Sequence, residues 1–130
     1  MIETALQFQN DSSINKPCCL LFGGETTLQV NGGGKGGRNQ HMALYAASLL
    51  HDKKGITFLA AGTDGNDGPT SAAGAVVDSK TMGSASLQGL DIFNYLKDFD
   101  SFNFFEKTSG HIITGPTLTN VMDIVVIIIE

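Results

Sequence analysis

Val30-Asn31-Gly32-Gly33-Gly34-Lys35-Gly36-Gly37-Arg38-Asn39-Gln40 joins two runs of different character. Before it, Thr27 to Val30 alternate between polar and apolar residues, the period of a strand. After it, Gln40 to Leu50 places Met42, Leu44, Tyr45, Ala46, Leu49 and Leu50 on one side of a helix. The stretch therefore reads as strand, glycine loop, helix. It holds five of the chain's 16 glycines. Glycine permits positive φ and lets a ligand approach the main chain without meeting a Cβ. A helix beginning at Arg38 or Asn39 turns free N–H groups and the positive end of its dipole toward the loop. Lys35 and Arg38 add two cations. Together these features predict an anion site, for phosphate or carboxylate, with Gly32, Gly34, Gly36 and Gly37 as its phosphate loop.

Gly32, Gly34 and Gly37 also fit the G-x-G-x-x-G spacing of dinucleotide sites. The acidic partner expected about 20 positions on is missing, because Asp52 comes too early and Asp64 follows the next strand. No Gly-Lys-Ser/Thr follows, so a P-loop is excluded. A tight turn with no ligand is the plain alternative.

Working outward, Cys18 to Phe22 reads as a buried strand, paired with Thr26 to Asn31 as a hairpin. Lys53-Lys54-Gly55 ends the long helix, and Ile56 to Ala61 is apolar enough for a central strand covered on both faces. Further strands are expected at Gly74 to Val77, His111 to Thr114 and Asp123 to Ile129. Thr81 and Asp91 each stand where a helix cap belongs. Strands alternating with helices predict an α/β layered fold, with a mixed sheet and helices on both faces. Residues 17–130 form the domain, and residues 1–16 read as a leading segment or linker. The ragged start suggests trimming there, whereas the last strand runs almost to the end of the chain. Ligands of such sheets gather at loops beyond the strand ends. At least two of the glycine loop, Thr63 to Thr70 and Thr114 to Asn120 are expected on one sheet edge.

The 130 residues suffice for one domain with a core. A net charge of -5 argues against a broad nucleic-acid face. No apolar run is long enough for a membrane span. Adjacent Cys18 and Cys19 point to opposite faces of a strand, read as small apolar residues, and fit a reducing cytoplasm.

Asp64 and Asp67, three apart with Asn66 between them, have the oxygen chemistry of a Mg²⁺ or Ca²⁺ site, or bond their own turn. Glu25 is placed to orient a substrate hydroxyl, to accept from Arg38, or to face solvent. Thr114, Thr117, Thr119 and Asn120 supply short polar groups around Gly115-Pro116. No serine or cysteine nucleophile pairs with a histidine, which disfavours a hydrolase triad.

Four motifs in order, Gly23-Gly24-Glu25-Thr26-Thr27, Gly36-Gly37-Arg38-Asn39-Gln40, Thr63-Asp64-Gly65-Asn66-Asp67-Gly68-Pro69-Thr70 with Ala73-Gly74-Ala75, and Thr114-Gly115-Pro116-Thr117 with Thr119-Asn120-Val121 and Asp123, resemble the MOFRL domain. That domain is the C-terminal half of class II glycerate 2-kinases, some of them also called hydroxypyruvate reductases. The resemblance runs from about Cys18 to Ile129. His41 departs from it, standing where many relatives carry an acidic residue and expected to face outward. The resemblance implies transfer of the ATP γ-phosphate, with Mg²⁺, to the 2-hydroxyl of D-glycerate in an interdomain cleft. It implies an N-terminal Rossmann-like domain that carries the catalytic lysine and is not in this sequence. Arg38 and Asp64 become the catalytic candidates, with Asp64 and Asp67 as metal ligands. Glu25, Lys35, Asn39, Asp67, Thr117 and Asn120 become substrate-binding candidates. Alone, the domain is expected to be inactive, with an apolar cut face able to drive homo-oligomers. The competing readings are an NAD(P)H-dependent hydroxypyruvate reductase fragment and a non-catalytic small-anion binding module.

Overall fold

A computed structural model describes all residues from Met1 to Glu130. Five helices pack on a five-stranded sheet. Helices α1 (Ile2–Asn10) and α2 (Arg38–Leu50) flank strand β1 (Cys18–Gly24) in the chain. Strands β2 (Ile56–Gly62) and β3 (Gly74–Asp78) follow, then helices α3 (Thr81–Leu87), α4 (Ile92–Asp98) and α5 (Ser101–Thr108). Strands β4 (His111–Ile112) and β5 (Asp123–Ile129) complete the order. The layered α/β architecture is the expected one. No helix is long and apolar enough to cross a membrane.

The sheet order is β1-β5-β2-β3-β4, and every pairing is antiparallel rather than mixed. β2 is thus the central strand, and β5, the last in sequence, inserts between β1 and β2. Alternation places Ile56, Phe58, Ala60, Ala75, Val77, Val125, Ile127 and Ile129 in one core. All five helices contribute to that same core, through Ala5, Leu44 and Leu50, Ala85, Ile92, and Phe104 and Phe105. Helices therefore cover one face, where two were expected. On the other face Leu21, Val76 and Ile128 are exposed. The physical reason is connectivity: the α2 crossover and the α3–α5 crossover pass over the same side of the sheet.

One expected strand is absent. Residues Thr26 to Asn31 form no strand, because β1 is an edge whose one neighbour is β5. The run from Ser101 is a helix, which buries Phe102, Phe104 and Phe105. Residues 2–10 are a helix with partners inside the chain: Ala5 is fully buried, and Ile2, Leu6 and Phe8 pack around it. Capping was legible at α4, where the Asp91 carboxylate accepts from the N–H of Phe93 at 3.0 Å. At α3, Asp78 takes the role expected of Thr81 and accepts from the N–H groups of Lys80 and Thr81.

The pairing registers fix the site. Asp123, first residue of β5, lies opposite Gly24 at the end of β1 and Gly62 at the end of β2. The segments after β1, after β2 and before β5 therefore share one sheet edge. All three loops expected to carry function meet there.

Candidate active site

Arg38 opens α2 and reaches back to that edge. Its Nε and Nη2 donate to the two Asp123 oxygens at 2.6 and 3.0 Å, a two-point fork. Its Nη1 lies 3.0 Å from Glu25 Oε1. Asp123 is buried, at 7% exposure, whereas Arg38 remains one-third exposed. The hydrogen bond that Arg38 donates to Asp123, with the charges of Asp123, Glu25 and Asp67, holds the guanidinium even more firmly protonated than usual. Arg38 is thus a fixed cation aimed by a buried carboxylate. Sequence reasoning placed Asp123 in a motif without a role, since its role arises only from β5 lying between β1 and β2.

A cleft of about 550 Å³ opens beside this pair. Its lining combines the charged Arg38 and Glu25 and the glycine loop with Leu28, Val30, Pro69 and the stacked rings of His41 and Phe99. His41 was expected to face out. Instead its ring lies on Phe99 at 4.5 Å with 8° between planes. Burial pushes its pKa down, so it is neutral at pH 7.

Asp67 has a different position from the one the metal reading gives it. Its Oδ1 accepts from the Asn39 N–H at 3.0 Å and from Asn39 Nδ2 at 3.2 Å. Its Oδ2 accepts from the Gln40 N–H at 2.8 Å and from Gln40 Nε2 at 3.0 Å. The helix that was to attract an external anion is capped by an internal one. A Cβ on Gly37 would collide with Asp67, and Gly68, at φ +62°, lies against Gly36. Asp64 Oδ1 accepts from Asn66 N–H at 3.0 Å, an Asx turn. With both its oxygens engaged by Asn39 and Gln40, the Asp67 carboxylate is not free to share a cation with Asp64.

The glycine loop is likewise closed by the protein. The N–H groups of Gly33, Gly34 and Lys35 donate to Asp98 Oδ1, Asp98 O and Asp100 Oδ1 at 3.1, 2.9 and 2.8 Å. Gly32 and Gly34 lack a Cβ where they pass the Asp98–Asp100 turn, and Gly36 lacks one where it meets Ser101. The predicted phosphate loop is, over this part, a docking loop for the α4–α5 junction. The Lys35 ammonium lies 4.1 Å over the Phe102 ring and does not line the cleft.

Thr117 holds the loop before β5 against the loop after β2, and Asn120 braces its own loop. The Thr117 N–H donates to Asp64 O at 3.1 Å and its hydroxyl to Thr63 O. Asn120 Oδ1 accepts from the Met122 N–H at 3.1 Å. The structure thus joins Glu25, Arg38 and Asp123 directly. Asn39 and Asp67 sit behind them, and Asp64, Thr117 and Asn120 form an adjoining loop pair.

A protein-family comparison matches residues 18–123 to the MOFRL family. The chain belongs to that family. The D-glycerate 2-kinase of Thermotoga maritima is 48% identical over 116 residues, covering 89% of this chain and 28% of that protein. Human glycerate kinase is 47% identical over 114 residues, covering 82% of this chain and 22% of that protein. The crystal structure of Thermotoga maritima glycerate kinase superposes with a TM-score of 0.94 at 44% identity, covering 98% of this chain and 31% of that one. The chain therefore spans between about a fifth and a third of these relatives' lengths.

Proposed function

We propose that this MOFRL domain forms half of the active site of a glycerate 2-kinase, which transfers the γ-phosphate of ATP to the 2-hydroxyl of D-glycerate. The observation that carries the reading is Arg38, fixed by buried Asp123 at the mouth of a ligand-sized cleft, in a chain nearly half identical to D-glycerate 2-kinase. Phosphoryl transfer demands positioning and charge neutralisation more than covalent chemistry. Arg38 supplies both, with two N–H groups left after its three contacts. They serve the transferred phosphoryl or the substrate carboxylate. Asn39 and Asp67 keep the start of α2 rigid, and Thr117 holds the facing loop wall. Asp64 orients the hydroxyl. Magnesium supplies further charge neutralisation where it accompanies the nucleotide; the Asp64–Asp67 pair does not fit it. The nucleophile's proton and the remaining phosphate contacts belong to residues outside this chain, so the isolated domain is inactive. The N–H groups engaged by Asp98 and Asp100 leave no pyrophosphate cradle at the start of the glycine loop, which counts against the reductase reading.

The test replaces the matching segment of the Thermotoga enzyme with this chain and follows ADP release from Mg-ATP and D-glycerate. The chimera releases ADP and the isolated chain does not. NADH oxidation with hydroxypyruvate, without ADP release, would replace the kinase with a reductase.

A further inference from the structure

Five N–H groups surround a guanidinium. Arg38 gives two to Asp123 and one to Glu25. The two acceptors differ. Asp123 is anchored in a strand and almost fully buried, at 7% exposure. Glu25 is 55% exposed and belongs to no element. One guanidinium against two carboxylates leaves the cluster with one net negative charge, which repels an incoming anion.

The segment carrying Glu25 has few ties. From Glu25 to Gly32, the ion pair with Arg38 is the one polar contact to the rest of the molecule. The segment is held at one end by β1 and at the other by Gly32 and Gly34 against the Asp98–Asp100 turn. Between these points Leu28 and Val30 line the cleft while remaining 38% and 59% exposed.

We propose that Glu25 is a resident counter-ion that an anionic ligand of Arg38 displaces, and that its release frees the strap from Glu25 to Asn31 to rearrange over the cleft. The ligand class is a small phosphate or carboxylate anion. This rests on the reading of Arg38 as the anion-holding residue, and adds that the site reports its occupancy through the strap. Glu25 then opposes anion binding, the reverse of a substrate ligand. Exposed ion pairs contribute little, so the competitor is weak enough to be displaced at ordinary substrate concentrations.

The experiment titrates the 130-residue chain with inorganic phosphate and follows main-chain amide resonances, in wild type, Glu25→Gln and Arg38→Ala. Phosphate is expected to shift the amides from Thr26 to Gly33 in the wild type. Glu25→Gln is expected to bind about two- to five-fold tighter, the range an exposed pair supports. Its strap amides, without phosphate, are expected to sit near the wild type's phosphate-bound positions. Arg38→Ala is expected to remove binding. Weaker or unchanged affinity in Glu25→Gln, or phosphate binding that leaves the strap amides still, would overturn the latch while leaving Arg38 in place. Phosphate binding that survives Arg38→Ala, or its absence from both wild type and Glu25→Gln, would overturn the reading of Arg38 itself and the latch with it.

Discussion

The loop from Thr63 to Ala73 and the strap from Glu25 to Asn31 leave the same edge of the sheet and are held in opposite ways. The loop turns Asp67 inward, where four donors from Asn39 and Gln40 meet a carboxylate only 3% exposed. The strap offers one exposed carboxylate to one shared guanidinium. The difference separates a carboxylate that builds the site from one that guards it. Burial and the number of donors decide which, since a buried carboxylate must be fully paired and an exposed one gains little from pairing.

The largest expected effect is at Asp67. Asp67→Ala strands the Asn39 and Gln40 donors in the interior and uncaps α2, at a cost of about 3 kcal/mol or more. Urea unfolding of the isolated chain measures it; a loss under about 0.5 kcal/mol would put Asp67 with the strap rather than the frame. Next comes Asp123→Asn, which keeps the shape and removes the charge opposite a half-buried guanidinium. We expect a loss of about 1–3 kcal/mol in the same unfolding assay, together with a loosened Arg38 Nε–H resonance. Unchanged stability and an unchanged resonance would show that Arg38 is aimed by something else.

A smaller effect is the acid response. Burial lowers the pKa of both His41 and His111 below the ordinary 6.5, and nearby Glu106 only partly offsets this at His111. The unfolded chain therefore binds protons first. The stability these rings contribute is complete above about pH 6.5 and is lost as pH falls through their lowered folded values. Melting temperature between pH 7.5 and 5 should fall, and less steeply in His41→Gln. An equal slope in that variant would place the proton uptake at other groups.

The helices and strands with strong periodicity were legible in the sequence. The glycine loop did sit between a strand-like run and a helix starting at Arg38, and the apolar runs of β2 and β5 were unmistakable. The strap was not legible, because Thr27 to Val30 alternate as a strand does, and alternation does not say whether a partner edge is near. Sheet order supplies that information. The same limit hid Asp123, whose place opposite Gly24 and Gly62 exists only once β5 inserts between β1 and β2. Asp67 was ambiguous for a related reason. An acidic residue in a glycine turn suits a metal, its own turn or a distant helix start, and only the long-range contact with α2 decides. His41 was expected to face outward, and its stack on the Phe99 ring places it in the cleft wall.

The central claim is that Arg38, aimed by Asp123, carries the phosphoryl chemistry of this edge. The direct measurement is kcat for ADP release from Mg-ATP and D-glycerate, in the Thermotoga chimera bearing this chain and in its Arg38→Ala counterpart. The account predicts a loss of about 10³-fold or more, as for other arginines that stabilise phosphoryl transfer. An Arg38→Ala chimera that turns over within a few-fold of its parent would contradict it.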